Sequence, residues 1–595
     1  MFTQKLGLSL IACSLSFMIS FSAFGDDLDI YVGSSDSMVT YKPNVLFIID
    51  TSGSMGSQDS VGVTRMKRVQ DALRVVLGSA TNINAGLMRL RMGDPIHSQP
   101  VIINYSDTDS AVFVSTNHGF LHSIDAQDGS ENFAIAPKEL LANLHYFYSD
   151  GSSFSHQYGL DGDLVVRNVG DKIYLYLGMR RGGNNYYVFD VTAKMDPKLK
   201  FTINGGQGEF ENLGQSWSRP ILTKIKIGND VKDVMIIGGG YDEDQDEKTV
   251  RSQDSVGNSV FIIDANDGSL LWSASNENAD LILDDMKYSI PASVSAIDRN
   301  NDGLADHIYV ADMGGQLFRL DIYNGKNKNE LVSGGLLASF TGDTAQENRR
   351  FYYGPDVSEI TLGQEQYYAV AIGSGFRASP LDTVIEDEFY LIKDTGVFNT
   401  DDEGKFLLPS SAFTQESLYD ATEHRLTSSN SQEREIEAKA LLEKNGWRIR
   451  LNSGGEKVLA SPLILDYKIF FTTYLPASAS DSLCIEPSGN SRAYLVNMRN
   501  GNAVADINRN NEKEPQDRFA QLAQTGIAPD TKILIENIAQ PVVCLGAQCV
   551  SAVIEIDDNG NEVACGSAFE CLAQNIYGRF ERVQKDTWTT EIEKS

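Results

Sequence analysis

The chain has 595 residues, with 50 Lys and Arg against 81 Asp and Glu, a formal charge of −31. An excess of negative charge this large repels phosphate backbones and argues against nucleic acid as a partner, while it suits metal cations and an extracellular setting. At roughly 150 residues per domain the length allows about four domains. A hydrophobic content of 42% is enough for a large core and argues against global disorder.

Residues 1–25 read as an export signal. Lys5 supplies the positive start, Leu6 to Phe24 is apolar or small, and Ala23-Phe24-Gly25 forms a small-residue cleavage site. Two rival readings stand beside it. Leu10-Ile11-Ala12-Cys13 resembles a lipoprotein box, and the run is long enough for an uncleaved anchor.

The next segment, 26–92, opens with an apolar strand, Asn44-Val45-Leu46-Phe47-Ile48-Ile49, that ends in Asp50-Thr51-Ser52-Gly53-Ser54. A strand followed by D-x-S-x-S resembles the metal-ion-dependent adhesion site of von Willebrand factor A domains, in which Asp50, Ser52 and Ser54 would hold a divalent cation. Residues 64–77 follow with helical apolar spacing (Met66, Val69, Leu73, Val76), and 83–90 reads as the next strand. The pattern then stops near Gly93. A parallel strand pair with so few neighbours lacks cover on both faces, so a truncated A-domain fragment is expected, either a remnant or a docking strand pair.

From about 93 to 525 the chain repeats itself. An apolar strand ends in Asp or Asn, with Gly a few residues on, at Phe120–Asp125 with Gly129, Val260–Asp264 with Gly268, Leu317–Asp321 with Gly325, Phe389–Asp394 with Gly396, and Ala493–Asn497 with Gly501. Tyr186–Asp190 is a sixth copy without the Gly. Pro opens an apolar strand ahead of several copies, at Pro100, Pro220, Pro291, Pro355 and Pro462, where its missing N–H costs little. A further strand between the two ends in small residues, as in Val234-Met235-Ile236-Ile237-Gly238. Three or more strands per unit, joined by Asx-Gly turns and recurring every 40–70 residues or so, indicate an all-β fold, a modified β-propeller of six or seven blades. A β-sandwich with irregular insertions is the alternative. A helical insertion is expected at about 412–445, and 526–595 forms a cysteine-containing tail that could close the propeller.

Within the repeats, Asp298-Arg299-Asn300-Asn301-Asp302-Gly303-Leu304-Ala305-Asp306 matches the calcium loop pattern D-x-[DN]-x-[DN]-G. Asp298, Asn300, Asp302, the Leu304 carbonyl and Asp306 are the expected ligands. Tyr309 stands where an EF-hand places its bidentate Glu, and the flanks read as strands. A weaker echo follows at Asp506-Ile507-Asn508-Arg509-Asn510-Asn511-Glu512, where Asn511 replaces the glycine, with Asp506, Asn508 and Asn510 as candidate ligands. Asp557-Asp558-Asn559-Gly560 reads as an ordinary turn.

Six cysteines occur, and Cys13 falls in the export signal. The spacings Cys544-x4-Cys549 and Cys565-x5-Cys571 suit two small disulfide loops, leaving Cys484 odd. Zinc is the competing reading, but no His lies within the cluster.

Gly93-Asp94-Pro95-Ile96-His97-Ser98-Gln99-Pro100, the loop 298–306 and the segment 43–90 together resemble the PilY/PilC type IV pilus tip proteins. The resemblance implies calcium in the propeller and a place at the outer membrane, cell surface or pilus tip. It also implies work with minor pilins and the pilus machinery to prime assembly, oppose retraction and support twitching motility and attachment to host or abiotic surfaces. The rest of the A domain is missing between about Leu90 and Gly93, a departure that bears on any adhesion or force-sensing role this domain carries in the family. A pilus-independent surface adhesin is the alternative. Quinoprotein dehydrogenases share the blade pattern but carry a Trp per blade and a vicinal cysteine pair. Here only four Trp occur and no cysteines adjoin, and no nucleophile–base constellation is found, so no enzyme is expected.

Overall fold

A computed structural model describes residues 30–32, 44–50, 67, 84–90, 97–143, 146, 157–362, 365–477, 489–534, 542–545, 548–552 and 565–576. The export signal, Ser52, Ser54, most of the 64–77 segment, Cys484 and the turn at 557–560 lie outside these residues. The chain divides into two compact units, residues 1–183 with 189–198, and residues 184–188 with 199–595.

In the first unit, strand Asn44–Asp50 pairs in parallel with Asn84–Leu90 and antiparallel with Ile30–Val32. Blade 1 is a four-stranded antiparallel meander, Val101–Ser106, Asp109–Thr116, Phe120–Asp125 and Glu131–Ile135. The hairpin Leu164–Val169 and Lys172–Gly178 begins the next. Strands Tyr186–Asp190 and Lys198–Ile203 fall where the two units divide.

The second unit holds four further blades, each with four or five strands. Blade 3 spans 221–282, blade 4 spans 295–339, blade 5 spans 356–450, and blade 6 spans 457–525. Four of the five Pro-opened strands begin just after their proline. Pro291 does not, because the strand there is only Ser295–Ile297.

Packing explains why these strands read as unbroken apolar runs. In blade 4, Ile308, Val310, Phe318 and Leu320 pack on Val234, Ile236, Val260 and Ile262 of blade 3. Their neighbours in sequence, Tyr309, Ala311 and Leu317, point the other way, onto Tyr368, Val370 and Ile392 of blade 5. Blade 5 repeats the device: Ala369, Ala371, Phe389 and Leu391 meet Phe471, Tyr494 and Val496 of blade 6. A sheet covered on both faces needs apolar residues at odd and even positions alike.

The Asx-Gly turns have a shared chemistry. The side chains of Asp125, Asp264 and Asn497 accept the N–H two residues on, at 2.8, 2.9 and 2.9 Å. Their carbonyls accept from Gly129, Gly268 and Gly501, which sit at φ of 73°, 80° and 68°. Gly396 departs from this pattern. It opens a short 3-10 turn, 396–398, and a Cβ there would lie 2.0 Å from the Leu407 carbonyl oxygen.

That close approach belongs to a strap, residues 394–413. It leaves blade 5, turns back through the Thr400–Phe406 bridge, and lays Phe413 beside Ala338 on the outer strand of blade 4. The insertion that follows carries one α-helix, α1, Ser431–Leu442, capped by Asn430, within the stretch expected to be helical. In the C-terminal segment, strands Lys532–Leu534, Val542–Leu545 and Gln548–Ser551 form a three-stranded sheet. Val543, Leu545, Phe569 and Leu572 pack there on Phe470, Ala493 and Leu495 of blade 6. Cys544–Cys549 and Cys565–Cys571 form the two local disulfides.

One buried ion cluster ties blades 4 and 5 together. Arg319, fully buried, donates Nε to Asp321 Oδ1 at 2.9 Å and Nη1 to both carboxylate oxygens of Asp394 at 2.8 Å. Its Nη2 donates to the Leu407 carbonyl of the strap at 2.7 Å. His307 joins Asp321 at 2.7 Å, and Tyr309 donates to Asp394 at 2.8 Å. Burial opposes the guanidinium charge, and Asp394 and Asp321 outweigh it, so the Arg319 pKa lies above its usual value. Removing one partner of a buried cluster strands the others. Arg319→Ala should therefore destabilise the second unit by about 3–5 kcal/mol, read as a fall in the urea midpoint of the intact chain. An unchanged midpoint would show that the cluster carries no stability.

Candidate functional site

The loop 298–306 joins the first two strands of blade 4, and its oxygens converge. Asp302 N–H donates to Asp298 Oδ1 at 3.2 Å and to Asn300 Oδ1 at 2.9 Å, which brings these two oxygens side by side. Gly303 N–H donates to Asp298 Oδ2 at 2.7 Å, and Leu304 N–H to Asp302 Oδ1 at 2.9 Å. Asn301 and Gly303 take φ of 59° and 85°, the left-handed conformation that Asn and Gly tolerate best. Asp306 closes the loop, its Oδ2 accepting from Arg299 N–H at 2.9 Å and its Oδ1 from Asn324 Nδ2 at 3.3 Å.

The second loop, 506–512, repeats the four turn bonds of the first. Asn510 N–H donates to Asp506 Oδ1 at 3.3 Å and to Asn508 Oδ1 at 3.0 Å. Asn511 N–H donates to Asp506 Oδ2 at 2.7 Å, and Glu512 N–H to Asn510 Oδ1 at 2.8 Å. Arg509 and Asn511 sit at φ of 59° and 67°. Asn511 thus does the work of the missing glycine.

Two residues of the second loop escaped the sequence reading, which stopped at Glu512. Glu514 holds the ninth position and accepts from Asn510 Nδ2 at 2.9 Å. Asp517, buried, holds the twelfth, where an EF-hand carries its closing carboxylate. Its Oδ1 accepts from Asn508 N–H at 3.3 Å and its Oδ2 from Glu514 N–H at 2.9 Å. The spacing from Asp506 to Asp517 was the available signal. In the first loop the twelfth residue, Tyr309, is committed to Asp394 instead.

Calcium takes six to eight oxygens from carboxylates, amides, carbonyls and water. Both loops offer such a mixed set, and both have the turn that gathers it. Among the described residues no three or more His, Cys, Asp or Glu side chains stand together as a preassembled metal cluster. The loop carboxylates face their own N–H groups instead. One orphaned group lies behind the first loop: the buried Tyr368 hydroxyl has no hydrogen-bond partner. Burial raises its pKa, followed by the carboxylates of Glu359, Asp306 and Asp298, while Arg299 opposes them. A cation in the loop would offset that negative field. At the adhesion-site-like motif, Asp50 ends its strand, and Ser52 and Ser54 lie outside the described residues.

Four- and five-stranded, mostly antiparallel sheets, stacked face to face within the second unit and punctuated by Asx-Gly turns, define a β-propeller. Residues 95–344 match the family described as the PilY1 beta-propeller domain. The type IV pilus biogenesis factor PilY1 of Pseudomonas aeruginosa strain PAK is 27% identical over 292 residues, 43% of this chain and 23% of that protein. A PilY1 homologue of Xylella fastidiosa strain Temecula1 is 24% identical over 417 residues, 66% of this chain and 26% of that protein. The chain thus matches about a quarter of the length of these curated relatives. The crystal structure of the P. aeruginosa PilY1 C-terminal domain shares the fold, with a TM-score of 0.51 at 19% identity, covering 74% of this chain and 91% of that one. Residues 95–344 are thus similar to the PilY1 β-propeller domain, and the chain is distantly similar over part of its length to the PilY1 type IV pilus biogenesis factors.

The second loop is held from behind by a histidine. His424 Nε2 accepts from Ala503 N–H at 3.1 Å and Nδ1–H donates to the Lys513 carbonyl at 3.0 Å, so the ring is neutral. Burial, aided by the charge of Arg518, lowers its pKa from 6.5 to about 4. The unfolded chain therefore binds a proton first as pH falls. The stability from this clasp should be complete above pH 6.5 and lost on the way down to about pH 4. His424→Gln should flatten that part of the pH profile of the urea midpoint. A profile unchanged by the substitution would contradict the assignment.

Proposed function

We propose that the chain is an exported, calcium-binding type IV pilus biogenesis factor. It promotes pilus assembly with minor pilins, opposes retraction, and so supports twitching motility and surface attachment. Its place is the cell surface or pilus tip, and its role is structural, not catalytic. The observation that carries the reading is the loop 298–306, with converging oxygens, inside the segment that matches the PilY1 propeller domain.

Calcium is the proposed cofactor, held by Asp298, Asn300, Asp302, the Leu304 carbonyl and Asp306. Asp506, Asn508 and Asn510, with Glu514 and Asp517, form the second proposed loop. A bound cation would neutralise carboxylates that otherwise repel one another, and it stabilises whichever conformation holds it. The Asp50, Ser52 and Ser54 motif is the weaker third proposal.

Calorimetric titration of the exported chain with calcium should give saturable binding. Asp298→Ala should weaken the site in blade 4 at least about tenfold, the scale of losing one hydrogen-bonded charged ligand. In cells, deletion should reduce surface pili and twitching, and the Asp298→Ala chain should restore them only in part. Unchanged pilus number with reduced attachment would favour the pilus-independent adhesin instead.

A further inference from the structure

The second residue of the blade 4 loop reaches away from the oxygens. Arg299 N–H closes the loop on Asp306, while its guanidinium donates to the Val397 carbonyl at 3.2 Å and lies 4.9 Å over the Phe406 ring. Val397 and Phe406 stand on the two arms of the strap. The strap meets blade 4 elsewhere as well. Phe406 N–H donates to Tyr323 Oη at 3.0 Å, and its ring packs against Tyr323 and His307. At the far end Phe413 N–H donates to the Leu337 carbonyl at 2.9 Å and its carbonyl accepts from Ser339 at 2.8 Å, covering part of the edge of that blade's outer strand.

We infer that Arg299 couples the loop 298–306 to the strap 394–413, so that a cation bound in the loop holds the strap against the edge of blade 4. The inference rests on the calcium reading of that loop. Its physical basis is a shared residue with two fixed ends. The Arg299 backbone is set by Asp306, a proposed ligand, and its side chain is set by the strap. Ordering Asp306 around a cation fixes the Arg299 backbone, and a fixed backbone lowers the entropy cost of keeping the guanidinium on Val397 and Phe406. The strap in turn shields strand 332–339, whose open N–H and C=O groups would otherwise be available to another chain. Arg299 is a positioning residue here, since its side chain supplies no oxygen to the cation.

Coupling of this kind is reciprocal. A change in the strap that touches no ligand must alter calcium affinity by the factor through which calcium alters the strap. The test is amide hydrogen exchange of the intact chain with and without calcium, beside calcium titration of Arg299→Ala and Phe406→Ala. Calcium should slow exchange across 397–413 about tenfold in the unmodified chain and leave it unchanged in Arg299→Ala. Phe406→Ala, which alters no proposed ligand, should weaken calcium binding by a similar factor, while exchange in blade 6 stays as it was. Calcium that binds without slowing strap exchange, or Phe406→Ala with unaltered affinity, would overturn the coupling and leave the calcium site standing. Absence of calcium binding to the unmodified chain would overturn the site and the cation control together.

Discussion

Arg319 is the point from which the architecture around the blade 4 loop is organised. It is a fully buried cation, and a buried cation is tolerable only when carboxylates and carbonyls satisfy it. Asp321 comes from its own strand, Asp394 from the end of the neighbouring blade's strand, and the Leu407 carbonyl from the strap. Meeting that demand sets where the Asp394 end of blade 5 sits against blade 4. It also brings the strap inward, to the distance at which only glycine fits at 396. His307 and Tyr309, the first and third residues after the loop, complete the cluster. The loop is therefore mounted on a strand whose start is anchored, and its oxygens sit on a rigid base.

Two loops with the same internal hydrogen bonds occupy blades 4 and 6, but their supports differ. The first is backed by the ion cluster, the strap and the orphaned Tyr368 hydroxyl. The second is backed by neutral His424 and by Arg518, which donates to the Gly501, Thr422 and Ala421 carbonyls. One back wall is a buried ion cluster, and the other contains a ring whose pKa burial lowers. Similar turn geometry thus sits on unequal supports.

Much of this was legible in the residues. Strand ends, Asx-Gly turns and the two short disulfides follow from local pattern, because each depends on groups a few positions apart. The Asp298 loop was legible for the same reason. Asp517 was missed because Asn511, in the place of glycine, weakened the motif before its twelfth position was reached. The strap was missed because 394–413 is polar and aperiodic, and its order comes from contacts with residues far away in sequence, such as Tyr323 and Leu337. Arg319 and Asp321 alternate with apolar residues, a pattern that by itself assigns them to solvent. They face a neighbouring blade instead, a fact that no single strand encodes.

The disulfides carry a consequence for how the last blade is finished. Each links cysteines only five or six positions apart. A ring that small removes less disorder from the unfolded chain than a long-range link would. The bonds therefore act as splints on a hairpin and a helical turn. The adhesion of the C-terminal sheet to blade 6 belongs to Val543, Leu545, Phe569 and Leu572. That seam is oil-like in character, so it gains strength with warming near ambient temperature and is indifferent to thiols. The chain can set it without waiting for an oxidant.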